Sequence, residues 1–152
     1  MQRFIAALST LILMGFVAPA LAGPAEEVAQ ISGARGQAFD EGNLDGWVAA
    51  YADNAVLQSF MSPFRIEGKE AIRAHIAELF QMYPKRRGFV RQPVTRVYND
   101  DLVIQDSYLV LYWTDQKGSI ATFATRNSVV WAKTGGRWQI VDQHVSRLPM
   151  AP

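Results

Sequence analysis

The side chains able to do chemistry cluster late in the chain: Asp106, Tyr108, Arg126, Asp142 and His144, with Ser146 two residues beyond. Arginine offers a planar fork of donors to a carboxylate or enolate. A histidine or carboxylate can move a proton near neutral pH, and a tyrosine hydroxyl can steady a developing oxyanion. These groups meet only if the chain folds into hairpins. Thr134, Gly135 and Gly136 separate two runs rich in Val, Ile, Phe, Trp and Thr, and a short Gly-containing link between such runs is a hairpin signal. A three-residue loop there pairs Lys133 with Arg137, and so Val130 with Ile140, Ser128 with Asp142 and Arg126 with His144. A second loop at Gln116, Lys117 and Gly118 pairs Asp115 with Ser119, and therefore Tyr108 with Arg126 and Asp106 with Ser128. Opposed residues share a face of a sheet. One face is thus expected to hold Asp106, Tyr108, Arg126, Asp142 and His144 beside Ile104, Tyr112, Val130, Trp138 and Ile140, while a two-residue loop at either turn would flip one strand.

An arginine on an apolar wall is costly unless paired, so Asp142 or Asp106 is its expected resting partner. Two readings follow. In one, the cluster is a satisfied internal network that sets register. In the other, Arg126 receives an anionic ligand, with His144, Asp106 or Asp142 as candidate bases.

The elements that must position these residues are legible in order. Pro24, Glu26 and Glu27 open a helix whose Val28, Ile31, Ala34 and Ala38 recur at helical spacing until Gly42. Asn43 caps a short second helix on which Leu44, Val48 and Tyr51 form a stripe, with Trp47 one turn before Tyr51. Strands are expected at Val56 to Met61 and Phe64 to Glu67. Ile72, Ile76, Leu79 and Tyr83 mark a third helix ending at Pro84, with His75 at the edge of the stripe. Lys85, Arg86, Arg87, Arg91 and Arg96, with Gly88 and Pro93, read as a solvated loop and strand edge. Strands follow at Val94 to Tyr98, Leu102 to Asp115, Ser119 to Ala132 and Arg137 to Ser146. Helices followed by an antiparallel meander make an α+β layout with helices on one sheet face. The face with Leu109, Leu111, Trp113, Phe123, Val129, Trp131, Val141 and Val145 is too apolar to stand in water. One face is therefore expected under the helices and the other under a second subunit of a two-fold dimer.

At the start, Arg3, the apolar run Phe4 to Val17 and Ala20-Leu21-Ala22 have the form of a signal peptide over residues 1–22, too short for a spanning helix. Export to a bacterial periplasm, with no membrane attachment after cleavage, is the expectation. Residues 23–152 then form one domain of ordinary size. Losing Arg3 takes the 15 Lys and Arg to 14, against 14 Asp and Glu. A neutral chain argues against nucleic acid as a partner. The absence of Cys removes disulfide, thiol and thiolate-metal chemistry, and two His without ligand spacing give no reason to expect a metal or cofactor.

The stretches Gly42 to Val56 and Phe64 to Ile72 resemble the opening of SnoaL-like domains in the nuclear transport factor 2-like superfamily. Arg137 to Pro149 is similar to the branch containing the calcium/calmodulin-dependent protein kinase II association domain. The resemblance implies a cone-shaped α+β fold, three N-terminal helices on a curved, mostly antiparallel sheet, with a cavity open at one end. It also implies dimerisation, or larger homo-oligomers, through the sheet. On matching positions it implies that Arg126, His144 and Ser146 border the cavity and that Trp47 and Tyr51 line it, with Tyr108 added by face. A domain binding a small apolar or carboxylate-bearing molecule is the leading expectation. An isomerase, dehydratase or cyclase using a His or Asp base is the alternative, and a homo-oligomeric association module the second.

Overall fold

The computed structural model describes residues 22–149, so the expected signal peptide, save Ala22, lies outside the described residues. Helix α1 (Pro24–Glu41) has Pro at its start and acidic Glu26 and Glu27 in its first turn, where a fixed φ and the dipole favour them. Gly42 ends it at φ +76°. The Asn43 amide reaches back to the Ala38 carbonyl at 2.8 Å, a left-handed stop that glycine adopts without steric cost. Asn43 then caps α2 (Leu44–Val48) by accepting the Gly46 amide at 2.9 Å. Here the expectation fails by one turn. Tyr51 leaves the helix and opens β1 (Tyr51–Gln58), several residues earlier than its apolar run suggested.

The remaining elements are β2 (Ile66–Glu67), α3 (Lys69–Met82), β3 (Lys85–Asn99), β4 (Leu102–Thr114), β5 (Ile120–Thr134) and β6 (Arg137–Arg147). They form one sheet in the order β2-β1-β6-β5-β4-β3, antiparallel except for β1 beside β6. Of the basic stretch read as a solvated loop and strand edge, the strand edge holds and the loop does not, since Lys85 to Arg91 already form the first half of edge strand β3. A bulge between Arg91 and Val94, with Gln92 at φ +48°, takes Pro93 out of the ladder.

The β4–β5 register is the expected one, with Tyr108 opposite Arg126 and Asp106 opposite Ser128. The β5–β6 register is not. Its loop has two residues, Gly135 and Gly136, so Thr134 pairs with Arg137 and Trp131 with Ile140. One extra residue, Val141, then shifts the strand, so that Val130 pairs with Asp142, Ser128 with His144 and Arg126 with Ser146. Trp138 and Ile140 therefore do not share a face with Arg126.

The face with Arg126 and His144, expected to border the cavity, is not the one under the helices. Helices α1 and α3 cover the side carrying Leu111, Trp113, Phe123, Val129, Trp131 and Ile140, all buried within one core with Val28, Ile72, Ile76 and Leu79. Burial of the larger apolar surface decides which side the helices take. Arg86 closes the far end of that core. Its guanidinium lies 3.8 Å from the Phe80 ring centroid and donates to the carbonyls of Phe39, Phe80 and Tyr83, drawing the last turns of α1 and α3 together.

A Cβ on Gly42 would meet Arg86 Nη2 at 2.7 Å in a backbone region that disfavours L-residues, whereas one on Gly33 in α1 meets nothing within 4 Å. Gly42→Ala should therefore lower stability by about 1 kcal/mol or more, and Gly33→Ala should raise it by about 0.5–1 kcal/mol. Urea unfolding of both variants checks this contrast.

Candidate functional site

The helical stripe Val28, Ile31 and Ala38 leaves one place to fill, position 35, and it is occupied by arginine. Arg35 is consequently drawn under the sheet. Its Cζ lies 3.9 Å from the Trp47 ring centroid and 5.0 Å from that of Tyr51. Its Nη2 donates to Tyr51 Oη at 2.7 Å and to Gln143 Oε1 at 2.8 Å, and the Tyr51 hydroxyl donates to the same Gln143 oxygen. Among the described residues Arg35 has no ion pair, and its Nε has no acceptor. It is half-buried and lines a cavity. Desolvation accordingly pulls the guanidinium below the ordinary arginine value, with Tyr51 partly restoring it. Burial pushes the Tyr51 hydroxyl up to about 12, opposed by the cation beside it.

The cavity measures about 540 Å³ and lies between α1, α3 and the inner sheet face, a size suited to a small organic ligand. It is graded along its length. Phe39, Phe60, Leu79, Leu111 and Trp113 make an apolar end, where Trp113 packs against Phe60 at 5.8 Å and Phe123 at 4.9 Å. A polar band crosses the sheet on the other side of Leu109: Gln143, Asn127, Ser107, Gln105 and Thr95. The mouth opens between Gly36 of α1 and Val90, Pro93 and Val94 of β3. The two carboxylates at its border are already engaged. Asp40 accepts the Gly88 amide at 3.0 Å and pairs with Arg87 at 3.1 Å. Asp106 accepts from Ser128 Oγ at 2.6 Å and pairs with Arg96.

Of the side chains expected at a site, Trp47 lines the cavity and Tyr51 stands just behind it, both buried and both on Arg35. The others are elsewhere. Tyr108, Arg126 and His144 are exposed on the outer face, with Ser146 and Asp142 on that same side, away from the helices. Asp106, expected to hold Arg126, is spent on Arg96. The choice of apolar face puts Tyr108 and Arg126 outside, and the Val141 bulge sets Asp142, His144 and Ser146 on that same side. His144 and Ser146 border a separate shallow depression with Arg65 and Arg147. His75 Nε2 lies 3.1 Å from Ser59 Oγ, and burial lowers its pKa, partly offset by Glu78. Arg35, Gln143, Asn127 and Gln105 were missed. Their signal was available as polar residues at core-facing positions of one helix and three strands.

The family described as calcium/calmodulin-dependent protein kinase II association domain matches residues 24–149. Among solved structures, a candidate association domain of that kinase from Xanthomonas campestris is 24% identical, with 86% of this chain and 95% of that one covered and a TM-score of 0.74. A nuclear transport factor 2-like protein of unknown function from Pseudomonas putida is 22% identical over 80% of this chain and 84% of that one, at a TM-score of 0.72. A candidate scytalone dehydratase from Novosphingobium aromaticivorans shares only 8% identity yet superposes at 0.73 over 81% of this chain and 83% of its own. The fold is the nuclear transport factor 2-like cone. No curated protein matches the sequence.

A raised tyrosine pKa contributes stability that is complete below the unfolded value of about 10 and is lost as pH rises through about 12. Of the five tyrosines, Tyr51 should ionise last. Spectrophotometric titration of Tyr51→Phe should lack that late component, and its stability should fall less steeply across this window.

Proposed function

We propose that this chain, which belongs to the calcium/calmodulin-dependent protein kinase II association domain family, binds a small apolar molecule carrying an anionic group, with Arg35 as the anchor. The observation that carries the reading is a half-buried cation, without a carboxylate partner among the described residues, at the wall of a cavity with an apolar end. Arginine does not shed its proton in proteins, so the charge persists. Stacking on Trp47 offsets only part of the desolvation cost. An anionic ligand supplies the missing counter-charge, while Phe39, Phe60 and Trp113 take its apolar body. Binding is favoured over proton-transfer catalysis because the bordering carboxylates are tied to arginines and His144 faces outward. The A-x-A site at Ala20-Leu21-Ala22 supports export of the domain, which would place this binding in the periplasm.

A second reading rests on the outer face. Phe89, Tyr108 and Tyr112 remain 43%, 40% and 43% exposed there, interleaved with Arg91, Arg126 and Val110. Aromatic and arginine side chains on a flat sheet are the composition of an interface core, and the family takes its name from association. We propose that the chain forms a homodimer, or a larger assembly built from it, through this face.

Replacing Arg35 tests the first reading. In Arg35→Met the affinity for the anion 8-anilinonaphthalene-1-sulfonate, followed by its fluorescence, should weaken about ten- to hundredfold, while thermal stability is unchanged or higher because a desolvated charge is gone. Unchanged affinity together with a large loss of stability would make Arg35 a structural residue and overturn the proposal. Native mass spectrometry tests the second: Tyr108→Glu should turn an oligomer into a monomer, and a monomeric wild type sinks it.

A further inference from the structure

Chemistry alone fixes how the cavity amides point. Arginine and the tryptophan indole can only donate. The atom of Gln143 that faces Arg35 Nη2 at 2.8 Å is therefore its carbonyl oxygen. Gln143 Nε2 is left to donate to Asn127 Oδ1 at 2.7 Å, and Asn127 Nδ2 turns onward to Ser107 Oγ at 3.4 Å. Along the same band, Gln105 Oε1 accepts Trp131 Nε1 at 3.0 Å and Ser32 Oγ at 2.6 Å, so its Nε2 turns to Thr95 Oγ1 at 3.4 Å. Each amide carbonyl is used against the wall. The amide nitrogens of Asn127 and Gln105 end in contacts at the limit of hydrogen-bonding length and, with two protons each, keep donor capacity. Trp113 Nε1 and Arg35 Nε, both donors only, are buried without an acceptor and lie out of reach of the cavity, so the open donors are the amide nitrogens. Asp40 and Asp106, the acids at the border, already accept from protein donors. The amides therefore turn donors, and not carbonyl oxygens, toward the cavity.

We infer that the cavity selects an oxo acid: a carboxylate at Arg35 and a carbonyl oxygen on the Asn127 and Gln105 amides, carried by an apolar body that extends toward Phe39 and Trp113. The inference rests on the proposed anchoring role of Arg35 and adds a second recognition point. The corresponding alcohol is the weaker fit, because the amide nitrogens cannot accept its proton, which has to find a remaining lone pair of Ser107 or Thr95. A polar group left unsatisfied inside a cavity costs more than a satisfied one contributes.

Three matched probes test this by isothermal titration: 4-(2-naphthyl)-4-oxobutanoate, the 4-hydroxy compound made by reducing it, and 4-(2-naphthyl)butanoate. The oxo acid should bind about tenfold more tightly than either of the others. Gln105→Glu retains an acceptor for Ser32 and Trp131 while removing the free donor, so it should erase the oxo preference. Gln105→Met is a second variant without added charge. Arg35→Met should weaken all three probes alike. Three equal affinities that all depend on Arg35 would overturn the oxo-acid inference and leave the anion site standing. Loss of Arg35 dependence, or no binding of any probe, would overturn both.

Discussion

One extra residue in the last strand decides what this fold presents to its cavity. Val141 stands between the pairs Trp131–Ile140 and Val130–Asp142, where the ladder gains a residue on one side only. Before it, the even-numbered Trp138 and Ile140 face the helices. After it, the odd-numbered Gln143 and Val145 do. A β-bulge re-aims side chains in this way because strand periodicity is two. Without it, Asp142 would point inward and Gln143 outward, and Arg35 would lose the carbonyl oxygen that receives it at 2.8 Å. Tyr51 depends on the same place, since β1 runs parallel to β6 and Tyr51 lies beside Ile140.

Around that point the structure accepts a local cost. Helix α1 turns a guanidinium where its stripe calls for an apolar side chain, and the fold answers with an aromatic face, a tyrosine hydroxyl and an amide oxygen instead of a carboxylate. Neutral partners satisfy hydrogen bonds without cancelling charge. The field at the cavity wall stays positive, and the amides beyond Gln143 hand the polarity across the sheet so that donors lead into the cavity. The core itself is held at the other end, by the ring cluster around Trp113 and by Arg86 on the carbonyls of two helix ends.

The two sides of the sheet then divide the chemistry. Outer cross-strand rows such as Arg91, Tyr108, Arg126 and Ser146 carry charge and aromatic surface, and inner rows such as Thr95, Gln105, Val129 and Gln143 line the cavity. The strand β3, at the sheet edge, interrupts its own pairing at Gln92 and Pro93. That bulge limits edge-to-edge pairing and leaves the cavity mouth with an apolar rim at Val90 and Val94. A cone with one open end and one broad outer face accommodates solved relatives of different descriptions at 8% to 24% identity with nearly the same backbone, which is why function has to be argued from the side chains.

The sequence by itself determined the α+β class, the bounds of α1, the capping of α2 by Asn43, the buried stripe of α3 and the β4–β5 register. Each rests on local chemistry: a proline and a glycine that punctuate, an asparagine that caps, a period of 3.6, and the turn at Asp115, whose carboxylate accepts the Lys117 and Ser119 amides at 2.8 Å. The family resemblance was readable as well, in the stretch from Arg137 to Pro149. Only the tertiary structure decided which sheet face the helices cover, because both faces carry apolar residues and the choice depends on total buried area rather than on any local motif. It also decided that Val141 bulges, since nothing in the run Ile140, Val141, Asp142 distinguishes a strand that slips by one. The first moved Arg126 to the outside and set Arg35 under the sheet, and the second sent His144 outward and turned Gln143 toward Arg35. The cation at the cavity wall is thus a consequence of long-range packing, and the clue to it in the sequence is the one charged residue standing in α1 where the helix needed an apolar one.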